Sequence, residues 1–282
     1  MPLPIRVFGR NGTFAADRVT RTVAYSMRRI RTGYTGPAVR IRRSSDSAES
    51  DFTPEQIQNG AMASWVGSGN DGFIRTWYDH SGNGLHAEQT TASLQPKIDT
   101  SQSKHGVASV LFDGTDDRLE AGGQSGFAFG SGDFTVEVWV RMTAVDAVEQ
   151  IFDFREVGDG PGLGASRINL ALEGSTNRQA VWYILNAIRI RGTTNFATST
   201  WYHIAVCRSG TNTRLFINGT QEGATWTDNT NYTVGAGRPF FGSNGESPGN
   251  QVAGQPFSGY MDEIRMTKGT ALYTSNFLPP ID

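Results

Sequence analysis

Phe257-Ser258-Gly259-Tyr260-Met261-Asp262-Glu263-Ile264-Arg265-Met266-Thr267-Lys268-Gly269 settles the architecture of this chain. The run mixes apolar and polar residues over the length of a strand and ends on a glycine that can turn the backbone. Working back from it, Phe134–Val140, Trp201–Val206 and Leu215-Phe216-Ile217-Asn218-Gly219 have the same character. Each alternates or runs apolar over strand length, and polar, glycine-containing stretches separate them. Asn218-Gly219 is the residue pair favoured by a type I′ hairpin turn. Strands are expected near 134–141, 149–154, 167–173, 179–185, 201–208, 213–218, 238–242 and 258–267. The fold class that follows is all-β, a sandwich of two antiparallel sheets.

Composition agrees. The chain has 282 residues, of which 34 are glycine, with 37% hydrophobic residues. That is enough for a large buried core and for many tight turns. A formal net charge of -2 gives no global field toward nucleic acid. No apolar stretch reaches the ~20 residues of a membrane span. The single cysteine, Cys207, excludes an intramolecular disulfide. The first residues carry no signal-peptide core, so assembly in a cytosol is expected.

The first third differs. Residues 1–15 read as an extended arm in which Leu3, Ile5 and Val7 alternate, suited to adding a strand to a neighbour. From Asp17 to Arg31, Val19, Val23, Met27 and Ile30 recur at steps of three and four, predicting a helix. Its arginines, Arg18, Arg21, Arg28 and Arg29 among them, are candidates for docking onto a partner. Val39–Arg43 and Phe73–Tyr78 read as strands. Thr53-Pro54 reads as the start of a short helix. The chain is divided as arm (1–15), opening (16–109) and sandwich (110–282), the opening being part of the sandwich.

Two resemblances follow. Phe112–Asp117, Phe134–Val140, Trp201–Val206, Leu215–Gly219 and Phe257–Arg265 stand in the order of laminin-G-like domains. The C-terminal two-thirds therefore resembles a concanavalin A-like jelly roll. Ala24–Ile30, Tyr34–Asp46 and Trp77-Tyr78-Asp79-His80-Ser81-Gly82-Asn83-Gly84-Leu85-His86-Ala87 resemble the opening of α-L-arabinofuranosidase B catalytic domains. The combination is also similar to proteins of tailed bacteriophages. That resemblance implies a virion surface protein (capsid decoration, head fibre or tail adhesion). Its partners would be other virion proteins, copies of itself, and host-surface or environmental glycans.

Candidate sites come from both sources. The arabinofuranosidase resemblance implies a glutamate on a strand and a second acid in a late loop. Glu173 and Glu246 stand nearest, but neither lies in a copy of the family motif, so no catalysis is expected. An arabinofuranosidase-type glycosidase and a soluble lectin are the alternatives. Trp226, Asp228, Asn229 and Tyr232 cluster in the polar run Thr225–Thr233 and form the candidate sugar platform. Asp113, Asp116 and Asp117 carry enough oxygen for calcium, the one cofactor considered.

Overall fold

The computed structural model describes residues 21–122, 124–144, 148–155, 168–173, 178–184, 187–235, 237–244 and 255–280. One continuous antiparallel sheet folds over on itself, and the two layers so formed enclose the core. The first layer is centred on β9 (Phe134–Met142), β14 (Trp201–Ser209) and β18 (Ser258–Lys268), the strands of the deciding blocks. On one flank it continues into β15 (Asn212–Ile217) and β16 (Thr220–Thr227). On the other it runs through β7 (Ser109–Asp113), β6 (Lys97–Asp99), β4 (Gly72–Trp77), β2 (Val39–Arg43) and β3 (Glu49–Phe52).

The second layer branches from β4. It passes through β5 (Ala87–Glu88), β8 (Leu119–Ala121), β17 (Phe240–Phe241) and β10 (Glu149–Asp153). From there it reaches β11 (Asn169–Glu173), β12 (Gln179–Ile184) and β13 (Ala187–Arg191). Glu222 ties the two layers at the far edge by accepting from Thr193 N at 2.7 Å and Thr194 N at 2.9 Å. Alternation in β9 sends Val136, Val138 and Val140 inward, where they meet Trp182 and Ile184 of the opposite layer in one apolar core. Helices α1 (Pro54–Gln58) and α2 (Ala61–Val66) add Ile57, Met62 and Val66 to it. Thr53 caps α1 in a capping box. The Asn218-Gly219 turn has positive φ at both residues, 50° and 79°, as a type I′ turn demands.

The opening departs from expectation. Over the described part of 17–31 there is no helix; Val23–Tyr25 is a strand, β1, paired with Ile264–Met266 of β18. Val23, Tyr25 and Met27 are all buried. The apolar repeat therefore runs at steps of two, and the edge of β18 supplies the backbone partners that a helix would have found internally. Among the elements the sequence did not reveal are α2, and β16, which reaches into the supposed loop 225–233. The arm residues Leu3, Ile5 and Val7, and Arg18, lie outside the described residues.

Around Glu137 and Glu263 the outer face of β9, β14 and β18 is also covered, and there it is ionic. Glu137 is fully buried and takes Arg21 Nη1 at 2.8 Å, Arg265 Nε at 3.2 Å, His203 Nε2 at 3.2 Å and the Tyr273 hydroxyl at 2.8 Å. Burial pushes its carboxyl up, but Arg265, His203 and Arg21 outweigh burial and hold it well below the usual range. Glu263, at a bulge with φ 50°, is ion-paired to Arg28 and lies 3.5 Å from His105 Nε2. Arg29 pairs with Glu55 at 2.6 Å. Arg21 and Arg28 are thus not docking cations: they supply the countercharge that lets strands β9 and β18 bury carboxylates.

Candidate functional site: a polar cleft on the second layer

The Trp77–Ala87 motif builds one wall of a cleft. Asp79 is buried, and its carboxylate accepts from Ala24 N (3.0 Å), Ser81 N (2.8 Å), Ser81 Oγ (2.6 Å) and Leu85 N (3.2 Å). One side chain thereby organises the whole loop and clasps β1 to it. Asp79 N donates to His86 Nδ1 at 3.1 Å, so the neutral ring carries its proton on Nε2. His86 packs edge-on to Tyr78 at 4.9 Å between centroids.

The cleft has a volume of about 560 Å³ and is lined by His86, Glu88, Gln89, Arg118 and Glu120, with Gly84, Gly122 and Gly237 at its walls. That size suits a small ligand or part of a polymer. A Cβ at any of these three glycines would meet nothing, so backbone lies open to a ligand there. Glu88 and Glu120 are cross-strand partners of β5 and β8. Direct partners put their Cβ atoms about 4.5–5.5 Å apart on one face. Glu88 lies 3.5 Å from Arg75 Nη1, and Glu120 lies 3.2 Å from Arg118 Nε. Phe240, the next partner of Glu120, lies under two guanidiniums, Arg238 at 3.8 Å and Arg118 at 5.4 Å. Gln89 is buried, bridging Arg118 O at 3.2 Å and Thr91 N at 2.9 Å.

Planar carboxylate, amide and guanidinium groups around a shallow polar cleft can hydrogen-bond vicinal hydroxyls. A retaining glycosidase needs two carboxyls about 5–5.5 Å apart, one of them ready to give a proton. Strand register sets Glu88 and Glu120 side by side. Each, however, is about half exposed and compensated by its own arginine, without the apolar enclosure that equips a general acid.

The family model for the concanavalin A-like lectin/glucanases superfamily, laminin-G type, matches residues 113–272, more than half of the chain. The chain belongs to this superfamily. Among solved structures, it is similar to an arabinofuranosidase complexed with arabinofuranosyl-α-1,2-xylobiose, with TM-score 0.67 and 14% identity over 89% of this chain and 59% of that one. A mutant GH54 α-L-arabinofuranosidase soaked with 4-nitrophenyl α-L-arabinofuranoside gives TM-score 0.66 and 14% identity over 89% of this chain and 60% of that one. The chain therefore spans about three fifths of the length of these enzymes, and the likeness is one of fold. No curated protein matches the chain.

Within this lectin/glucanase sandwich the other candidate residues scatter. Glu173, at the end of β11, is paired with Arg191 Nη2 at 2.6 Å on the layer's surface; Glu246 lies outside the described residues. The supposed sugar platform is not one surface. Asp228 and Tyr232 are buried, joined at 2.7 Å, with Thr213 Oγ1 on the same carboxylate oxygen and Trp182 Nε1 on the phenol at 3.3 Å. Asn229 is exposed; Trp226 is half-buried beside Arg189. The polar run folds its aspartate and tyrosine inward because each satisfies the other.

The aspartates Asp113, Asp116 and Asp117 do converge, each offering an oxygen within 4.8 Å of the others. Their oxygens also serve the turn: Asp113 Oδ1 accepts from Thr115 N at 2.8 Å and Asp117 Oδ2 from Asp113 N at 3.0 Å. Burial and the neighbouring Asp113 charge push Asp117 up to about 7. Sequence reasoning missed Glu88, Glu120 and Gln89 altogether. The short strands of Glu88 and Glu120, of two and three residues, carry no periodic signal.

Proposed function

We propose that this protein is a non-catalytic glycan-binding module that holds sugar in the cleft between β5 and β8. The observation that supports this reading is the Glu88–Glu120 pair, placed side by side by strand register and each charge-compensated, with glycine backbone open beside it. Such a pair is suited to accepting hydrogen bonds from sugar hydroxyls. The arabinofuranose-containing ligands of the similar solved structures make arabinofuranosyl-decorated oligosaccharides the first ligands to try. The setting on a tailed-phage virion is part of the proposal and rests on the sequence resemblance alone. Display in many copies would convert millimolar contacts into useful avidity.

The test combines two assays. In a titration against arabinofuranosyl-xylooligosaccharides, Glu120→Ala and Gln89→Ala are expected to weaken binding by about tenfold or more. In parallel, 4-nitrophenyl α-L-arabinofuranoside is expected to stay intact. Release of nitrophenol that disappears in Glu88→Gln or Glu120→Gln would replace this reading with a retaining glycosidase.

A further inference from the structure

A second surface lies on the first layer, on the opposite side of the sandwich wall from the core. The strand registers align seven side chains in a single row across seven strands. Trp201 of β14 opposes Arg141 of β9, which opposes Tyr260 of β18. Tyr260 opposes Leu111 of β7, and Leu111 opposes Lys97 of β6. Lys97 opposes Phe73 of β4, which opposes Arg42 of β2. Direct partners share a face, and an adjacent residue in each of these strands points into the core, as Val140, Met261, Val110, Ile98, Ile74, Ile41 and Tyr202 do. The row therefore faces outward. All but Tyr260 are half-exposed.

Aromatic and cationic groups are interleaved along it. Arg141 lies over the Tyr260 ring at 5.4 Å and Arg42 over Phe73 at 4.7 Å. Trp201 and Tyr260 sit 6.3 Å apart. Among the described residues Arg141 makes no ion pair. Arg42 is braced by Gln95 Oε1 at 2.7 Å and Ala92 O at 3.1 Å, so its guanidinium is held in place. Strands lie about 4.8 Å apart, so the row extends roughly 29 Å, with cations three and then two strands apart.

We propose that this row is a binding track for an extended anionic polysaccharide, of the uronate-bearing kind. Aromatic rings and aliphatic Leu111 offer flat apolar surface to sugar faces, and spaced guanidinium and ammonium groups meet carboxylates that recur along the polymer. Charge complementarity selects the occupant. Three cations in seven positions, with Asp71 on Lys97 and Asp99 on the Tyr260 hydroxyl, match a sparsely charged chain of rings. A nucleic acid, with a phosphate at every step, would meet these acids without enough cations to offset them.

Affinity electrophoresis in gels containing polygalacturonate tests the track on the full chain. The wild type is expected to be retarded, and retardation to weaken with salt. Arg141→Ala and Trp201→Ala are each expected to raise the apparent dissociation constant by about tenfold, and Arg141→Lys by less. Carboxyl-reduced polygalacturonate is expected not to retard the protein. The cleft variant Glu120→Ala is expected to be retarded like the wild type, which separates this surface from the sugar cleft. All of these positions are surface ones, so thermal melts should match the wild type. Absence of retardation, equal retardation of Arg141→Ala and wild type, or displacement of the polymer by a single-stranded oligonucleotide of equal charge would each overturn the proposal.

Discussion

Away from the Trp201–Arg141–Tyr260 end, the two faces of the β9–β14–β18 sheet are both buried, yet they are different materials. The inner face is Val136, Val138, Val140, Ile204, Met261 and Ile264, packed as one apolar layer. The outer face is Glu137, His203, Arg265, Glu263 and Asp262, sealed by the segment carrying Arg21 and Arg28, the loop of Lys104 and His105, and the tail carrying Tyr273 and Phe277. An apolar face tolerates loss of a group at the cost of a cavity. An ionic face does not, because each charge is desolvated on the condition that its partner is present. The outer face thus makes the chain segments that cover it obligatory parts of the fold.

Removing one charge is the strongest way to break the contrast. Glu137→Ala leaves Arg21 and Arg265 buried beside each other, and a loss of about 3–5 kcal/mol in chemical denaturation is expected. Arg21→Ala is expected to fall in the same range and to expose the 21–31 segment to protease. If Glu137→Ala lost less than about 1 kcal/mol, the outer face would be ordinary surface and not a buried ionic layer. On the inner face, Ile204→Ala is expected to cost about 2–5 kcal/mol by cavity formation, without freeing that segment. Limited proteolysis of the two variants separates the faces even where their stabilities agree.

The sequence displays one face and conceals the other. The deciding strands are legible because Val136, Val138 and Val140 alternate with a second set, and alternation is a local signal. Glu137 belongs to that second set, and nothing in its sequence neighbourhood announces that Arg21, 116 residues away, bonds it. The same blindness hid the cleft. Glu88 and Glu120 become a pair only through the β5–β8 register. The platform of Trp226, Asp228, Asn229 and Tyr232 failed for the converse reason: sequence proximity was read as a shared surface, whereas Asp228 and Tyr232 turn inward to each other. Pairing partners between distant strands carry the chemistry of this molecule, and register is set by packing across the whole sheet.

Acid titration sharpens the comparison at smaller amplitude. Burial lowers His105 to about 4 and His80 to about 3, and His203 is lowered by burial as well. In the unfolded chain each takes a proton near 6.5. Between that value and the lowered ones the unfolded state binds more protons, so stability must fall as pH falls, by about 1.4 kcal/mol per unit per histidine. Asp262, raised by burial and by Glu263, and Asp117, raised to about 7 chiefly by burial, act in the opposite sense and offset part of this decline. Below about 4.5, protonation of Glu137 and Glu263 in the unfolded chain adds to the loss. Denaturation midpoints at pH 7, 6, 5 and 4 are expected to decline steadily. A flat profile from 7 to 5 would overturn the expectation that buried neutral histidines dominate this range.

Tyr273→Phe is the mildest probe. It keeps the ring, which stacks on Phe277 at 3.5 Å, and deletes only the hydroxyl donated to Glu137. Glu137 retains Arg21, Arg265 and His203, so the expected cost is only about 1 kcal/mol. The tail should stay in place, because Phe277 N still donates to Gly219 O at 2.9 Å and Asn276 Oδ1 still accepts from Gln221 N at 2.9 Å. Hydrogen exchange of the Phe277 and Gln221 amides reads this directly. Unchanged protection with a small loss of stability would show that the tail is held by the sheet edge and only tuned by the ionic layer; collapse of that protection would show that the buried carboxylate is what keeps the tail closed.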